Sequence, residues 1–368
     1  MYLKNKTILI ISPEPFGKNL LSKHYYALEL ARFNRVFFLC FPHGQTESFI
    51  HTNISENLIQ IGVKNNFGAI NILPEFWVKK LFRKKIQSIL RFAKIHPDVV
   101  ISFFPYFFWW LKDFGAQIHI FGLMDYFPNL KKRNFQIIYQ NTDLVLTVSK
   151  IISDHYGMFN AYFLGHAIPG DLFKSLNNKN IINEVPKKVG FMGTLKSPYL
   201  DLNLINDLVN FFPDLDFYFA GSKLTPNNLN YHFWEDLASH PNVHMTGLLT
   251  GNHLTEWLSN MDLFIFPYTD KAPLRTSNSL KILFYLATGK PVVASPIATY
   301  QSIDPNIMIV NKNSNEFLHA FRRVVSNYKN LVEDDWVRKR KNMAQENTYD
   351  KKVLQLDELI RQHLDRKK

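Results

Sequence analysis

PYTDKAPLRTSNSLKILFYLATGKPVVASP, residues 267–296, is the stretch on which the reading of the fold turns. It leaves an apolar run, LFIF at 263–266, that reads as a buried strand, crosses a polar loop with one arginine, and enters a helix at Ser277 or Asn278. Leu280, Leu283, Phe284 and Ala287 recur at helical spacing, Gly289 supplies the stop, and Pro291, Val292 and Val293 open another strand. In an open parallel sheet, such a strand, loop, helix, strand unit places the loop and the helix N-terminus at the carboxyl ends of the strands, where ligands bind. Free N–H groups there favour an anion, and Arg275 and Lys281 add positive charge. The stretch reads as a diphosphate site.

Outward from it the same rhythm continues in both directions. Strands are expected at 188–192, 216–220, 243–245, 263–266, 291–294 and 307–310, alternating with helices near 201–212, 253–259, 278–288 and 315–328. Upstream, strands are expected at 7–12, 35–41, 58–61, 99–103, 118–121, 144–148 and 162–164, with a helix at 22–33 and helical segments between most of the rest. Near-continuous apolar strands separated by helices mean parallel sheets covered on both faces, so the fold class is α/β with two Rossmann-like domains. The polar stretch SLNNKNIINEVPKK between the halves fits a linker, and 368 residues suit two domains. The expected division is a first domain over 1–173, a linker over 174–187, a second domain over 188–345 and a C-terminal helix over 346–368.

Composition narrows the class further. Hydrophobic residues make up 46% and charged residues 20%, a globular balance. Cys40, the single cysteine, excludes an internal disulfide and a cysteine metal cluster, and fits a reducing cytosol. The apolar run at 8–11 is too short for a signal peptide core, and no run reaches the roughly 20 residues of a membrane span. Of the formal charge of +12, residues 1–170 hold most, with 19 Lys+Arg against 10 Asp+Glu. The block KKLFRKKIQSILRFAK, from Lys79 to Lys94, has seven basic residues, no acid and an apolar stripe through Phe82, Ile86, Ile89, Leu90 and Ala93. It suits either a solvated surface helix or contact with an anionic membrane surface or acceptor. Nucleic acid is not an expected partner, because no recognition motif interleaves with these charges. The expected location is cytoplasmic, with peripheral contact at the inner face of the cell membrane as the sharper option.

The segments VGFMGTL (189–195), FYFAGS (217–222), HPNVHMTGLL (240–249), MDLFIFPY (261–268) and SNSLKILFYLATGKPVVAS (277–295) resemble, in order and spacing, the donor domain of a GT-B glycosyltransferase. The family is group 1, family 4 in the carbohydrate-enzyme classification. GLMDYF (122–127), NTDLVLTVS (141–149) and LGHAI (164–168) resemble its acceptor domain more weakly. The resemblance implies two Rossmann-like domains facing across a cleft, with a C-terminal helix that can cross back to the first. It implies transfer of a sugar from a nucleotide-sugar donor to a glycan or lipid-linked acceptor, metal-independent and retaining, with no cofactor, since the nucleotide-sugar is itself a substrate. Sequence and resemblance together nominate Gly17, Gly193, Lys196, Arg275, Thr276, Ser277, Asn278, Lys281 and Phe284 for the donor, and Asp125, His24 and His119 for catalysis. One departure stands out. The family keeps Glu at the position of Phe284, to hold the nucleotide ribose, and often another eight residues earlier, where this chain has Thr276. That departure motivates an alternative, a non-catalytic binding or scaffold protein in polysaccharide assembly; a nucleotide-sugar epimerase shares the fold and is a third option. Asp214-Leu215-Asp216 spells a metal-binding Asp-x-Asp, but it lies in a helix-to-strand turn and is not taken as a metal site. In FFPYFFWW (103–110), the tail after Pro105 could line the acceptor cleft or touch lipid, with sugar stacking on Trp109 or Trp110.

Overall fold

The computed structural model describes residues 1–17, 20–64, 70, 72–177, 183–269 and 278–367. Two compact units emerge, Met1–Gly165 with Tyr349–Lys368, and His166–Thr348.

In the first unit, β1 (Thr7–Ile11), β2 (Arg35–Cys40), β3 (Phe49–Ser55), β4 (Leu58–Val63), β5 (Val99–Ser102), β6 (Ile118–Leu123), β7 (Leu144–Thr147) and β8 (Tyr162–Phe163) form one sheet, ordered β3-β4-β2-β1-β5-β6-β7-β8. Its helices are α1 (Ser22–Ala31), α2 (Glu75–Ala93), α3 (Lys132–Gln140) and α4 (Lys150–His155). The central strands are buried along their length, β1 lying between β2 and β5 with Ile8 opposite Val36 and Val99. This is the geometry that continuous apolar runs select. The exception is β3, antiparallel to β4 at the sheet edge and absent from the expected strands. Its sequence FIHTNIS carries no apolar run and is largely exposed, so periodicity had nothing to register.

The second unit opens with α5 (Gly170–Asn177) and carries β9 (Lys188–Met192), β10 (Asp216–Ala220), β11 (Val243–Gly247), β12 (Leu263–Phe266), β13 (Val292–Ala294) and β14 (Ile309–Val310). These form a parallel sheet ordered β11-β10-β9-β12-β13-β14. Around it lie α6 (Leu202–Phe211), α7 (Tyr231–Leu237), α8 (Gly251–Asn260), α9 (Leu280–Ala287), α10 (Ser314–Ser326), α11 (Tyr328–Leu331) and α12 (Asp334–Gln345). The chain order reverses between β9 and β12, the kind of switch point at which ligands bind in such sheets.

The division falls after Gly165, ahead of the expected end at residue 173. The reason is apolar: Ile168, Phe173 and Leu176 are buried in the second core. Part of the expected linker over 174–187 is thus the end of α5. Past it, the Asn183 side chain and the N–H groups of Lys187 and Lys188 donate to the buried carboxylate of Asp262 at 2.7–2.8 Å.

The last helix, α13 (Tyr349–Asp365), belongs to the first unit. Its Asp357 accepts the Leu3 N–H at 2.6 Å, Tyr349 packs its ring on Tyr25 and Tyr26, and Lys367 donates to Asp143 at 2.7 Å.

Apart from the exposed Tyr106, the aromatic run is core. Phe108, Trp109 and Trp110 are 4% exposed or less and pack around Phe82 of α2, with Trp109 Nε1 donating to the Pro105 carbonyl at 2.9 Å. Neither tryptophan offers a free face for sugar stacking. Phe108 holds φ = 56°, a left-handed backbone that a bulky residue takes only when packing compels it.

Candidate functional site

At the carboxyl edge of the second sheet, β9 ends at Met192 and turns at Gly193. A Cβ on Gly193 would come within 2.6 Å of the Phe191 ring and 3.3 Å of Lys281 Nζ. A Cβ on the neighbouring Gly221, after β10, would sit 2.4 Å from the Gly193 carbonyl oxygen. The close approach of the two turns leaves room only for glycine at 221, and the Phe191 ring crowds any side chain at 193. The outer part of the Gly193 turn is fixed from α7, where Trp234 Nε1 and Asn230 Nδ2 donate to the Leu195 carbonyl at 3.0 and 3.2 Å.

The other wall is α9. Lys281 and Tyr285 lie four apart and share one helix face. Tyr285 is fully buried, stacks on Phe264 at 4.3 Å, and its hydroxyl accepts the Met192 N–H at 2.8 Å. That bond locks the start of the Gly193 turn to α9. Lys281, half-buried, lies 3.3 Å from the Tyr268 hydroxyl and faces its ring, so its ammonium is held against the turn rather than trailing in solvent. Tyr268 is itself held by its N–H, which donates to Ser295 Oγ at 2.9 Å. Just ahead of α9, the Asn278 backbone carbonyl accepts from His166 Nε2 at 2.9 Å, which fixes the tautomer because a carbonyl can only accept. Asn278 Oδ1 is buried with no hydrogen-bond partner among the described residues. Arg275, Thr276 and Ser277 lie outside the described residues. Lys196 is exposed and forms no ion pair among the described residues. Phe284 is 7% exposed and belongs to the second core.

Beside these turns, Leu195, Gly221, Lys223, Tyr231, Trp234 and Gly247 line a cavity of about 370 Å³. Its aromatic walls suit a flat ring and its Lys223 and Glu235 supply polar edges.

In the first unit the candidates separate. Gly17 and Asp125 follow β1 and β6 at the carboxyl ends of their strands. A Cβ on Gly17 would meet open space, so packing does not demand glycine there. Asp125 Oδ1 accepts the Tyr126 N–H at 2.8 Å. Desolvation pushes the Asp125 carboxyl up, outweighing the Tyr126 N–H and the charge of nearby Lys23. Lys23, at the start of α1 and ion-paired with Glu14, joins this group. His24 is different: its Nδ1 accepts the Leu21 N–H at 2.9 Å, its Nε2 faces the Glu14 carbonyl, and its ring packs in a three-ring cluster with Phe16 and Phe38. Burial lowers its pKa, so it stays neutral as a helix-capping residue. His119 lies near the amino end of β6, opposite to the ligand end, and its Nδ1 donates to Asp143 at 2.9 Å. His119 thus lies at the wrong end of its strand for the catalysis it was nominated for, whereas His24, although at the ligand end beside Lys23, is buried with both ring nitrogens engaged. Asp216 likewise opens β10 at the amino end and pairs with His244.

Two doubly wound units, one with a glycine turn, a held lysine and a helix start at its switch point, define the GT-B class of architecture. Residues 186–327, all within the second unit, match the family model described as Glycosyl transferases group 1. Among solved structures, sucrose-phosphate synthase of Thermosynechococcus elongatus aligns with a TM-score of 0.68 over 98% of this chain and 100% of its own, at 13% identity. The Anabaena protein HepE, solved with UDP and glucose, aligns with a TM-score of 0.66 over 97% and 99%, also at 13%. At such identities the likeness shows the fold. A Bacillus subtilis protein named for glycosyl transfer in teichuronic acid biosynthesis is 30% identical over 107 residues, 29% of this chain. The matched stretch spans 26% of that relative's length.

Proposed function

We propose that the chain is a glycosyltransferase that binds a nucleotide-sugar donor on its second unit and an acceptor, a cell-surface glycan or lipid-linked precursor, at the carboxyl end of the first sheet. The observation that carries this reading is Lys281 Nζ held against the Gly193 turn at the start of α9. When the sugar leaves, charge grows on the diphosphate, and a fixed cation beside free helix N–H groups stabilises that charge more than it stabilises the intact donor. This reading assigns that task to protein groups rather than to a metal, and takes the transfer as retaining. The cavity beside Gly221 and Gly247 takes the nucleoside base. Asp125, with its raised pKa and Lys23 beside it, is the group assigned to orient or deprotonate an acceptor hydroxyl. UDP, bound by the Anabaena protein, is the first nucleotide to try.

Phe284 favours a second reading, in which the chain binds a nucleotide without transferring sugar, because a buried phenyl ring offers the ribose hydroxyls no acceptor. A panel of nucleoside diphosphates and their sugars, with thermal unfolding and donor turnover as readouts, separates the two. The transferase reading predicts stabilisation by one nucleotide series, about 2.7 kcal/mol at a hundredfold excess over Kd, and turnover that stops in Asp125→Asn. Stabilisation with no turnover on any acceptor supports the binding protein; no stabilisation by any nucleotide overturns both.

A further inference from the structure

The start of α2 carries a surface that the donor reading does not use. Val78, Phe82, Ile86 and Ile89 face the first core. On the opposite side, Phe76 is 70% exposed, Trp77 51% and Leu81 44%, and Ile72, just ahead of the helix, is 86% exposed. Side chains of this size exposed singly are ordinary, but four within ten positions of one helix start form a patch. Phe76 and Trp77 meet edge to face at 5.7 Å, and Lys80 Nζ lies 5.4 Å from the Trp77 ring centre, so apolar and cationic groups are interleaved.

The charge balance on this face is one-sided. Its nearest acids are already paired, Glu75 with Arg133 and Asp113 with Arg83 through two bonds of 2.9 and 3.0 Å. Lys79 and Lys85 lean over Trp110 and Phe49. Lys80, Lys84 and Arg91 point outward with Trp77, since positions 77, 80, 84 and 91 share one helical face, and all four are exposed. No helix among the described residues is long and apolar enough to cross a membrane.

We propose that this face docks the first unit on an anionic lipid bilayer, with Ile72, Phe76, Trp77 and Leu81 entering the interfacial region and Lys80 and Lys84 meeting lipid phosphates. Aromatic rings next to lysines match the polarity gradient of a bilayer surface, where ring and alkyl stem are buried and ammonium groups stay in water. The lysine charges add attraction wherever the leaflet is anionic. Because α2 follows β4, which runs parallel to β2, the helix starts at the same end of the sheet as Gly17 and Asp125. Docking therefore brings the acceptor end of the first unit toward the lipid surface. The docking itself involves no nucleotide, so its failure and the failure of the donor reading are distinguishable.

Cosedimentation of the full chain with phosphatidylcholine vesicles, with and without phosphatidylglycerol, tests it. Binding is expected only to the anionic vesicles and is expected to weaken with added salt. Phe76→Ser with Trp77→Ser, and separately Lys80→Glu with Lys84→Glu, are each expected to lower binding at least tenfold, leaving the unfolding temperature and nucleotide binding unchanged. Parent-like binding by either double variant, equal binding to neutral vesicles, or no binding by the parent overturns the proposal. So does a dimer broken by the aromatic variant in a parent that ignores vesicles, which assigns the face to a second copy.

Discussion

Gly193 and Lys281 are legible in the sequence because a glycine after a strand and a lysine at a helix start are local signals. The residues that hold them are not. Tyr285 reaches Met192 and His166 reaches Asn278 across separations of 93 and 112 residues, and nothing in the local pattern announces either pair. Gly193→Ala should destabilise by about 1–3 kcal/mol, as overpacking does, and should weaken nucleotide binding by displacing the ammonium of Lys281; chemical denaturation and titration of the same variant check both. The histidines teach the converse. Residue type nominated His119 for catalysis, whereas its Nδ1 serves a carboxylate at the far end of the strand. Burial pushes the Asp143 carboxyl up, but hydrogen bonds from His119 and Lys367 prevail and hold it well below the usual carboxylate range. A carboxyl whose pKa falls on folding stabilises the fold above its unfolded value, about 3.9, and that contribution disappears as pH drops through the folded value. Asp143→Asn should therefore lower the unfolding temperature at pH 7, and the gap to the parent should narrow below pH 4; parallel curves would contradict the assignment.

Among elements, α9 was readable and its support was not. The apolar spacing of 280–287 and the stop at Gly289 mark the helix, yet α12, which packs against it, carries the polar sequence DDWVRKRKNMAQ and was not expected. The link is Arg340, fully buried on α12, whose guanidinium donates to the carbonyls of Gly289, Leu331, Ile307 and Asn306. These are the orphan carbonyls of helix ends and turns, groups that cost about 1–3 kcal/mol each when buried without a donor. Arg340→Met should destabilise by about 3 kcal/mol or more and should loosen α9, seen as faster amide exchange at 282–289; Arg340→Lys should restore little, because one ammonium cannot serve four separated carbonyls. The strand β3 was invisible for the same reason as α12. Both are elements that tertiary contacts rather than hydrophobic periodicity call into being.

At the scale of the molecule, the alternation of apolar runs and helices was enough for two Rossmann-like units, because parallel strands buried on both faces cannot be written any other way in sequence. The division after Gly165 and the return of α13 were less legible, since they depend on which core Ile168, Phe173 and Tyr349 join. The units differ in what they keep at their ligand ends: the second has a fixed cation and a glycine turn, the first a carboxylate beside Lys23. On the proposed reading, that difference makes the second unit the donor side and the first the acceptor side. Calorimetric titration of the full chain with UDP, the parent against Lys281→Ala, tests this assignment most directly. The parent should bind, and removal of the ammonium should weaken binding at least tenfold, about 1.4 kcal/mol, with the unfolding temperature unchanged. Equal affinity in parent and variant would show that the diphosphate does not rest on α9.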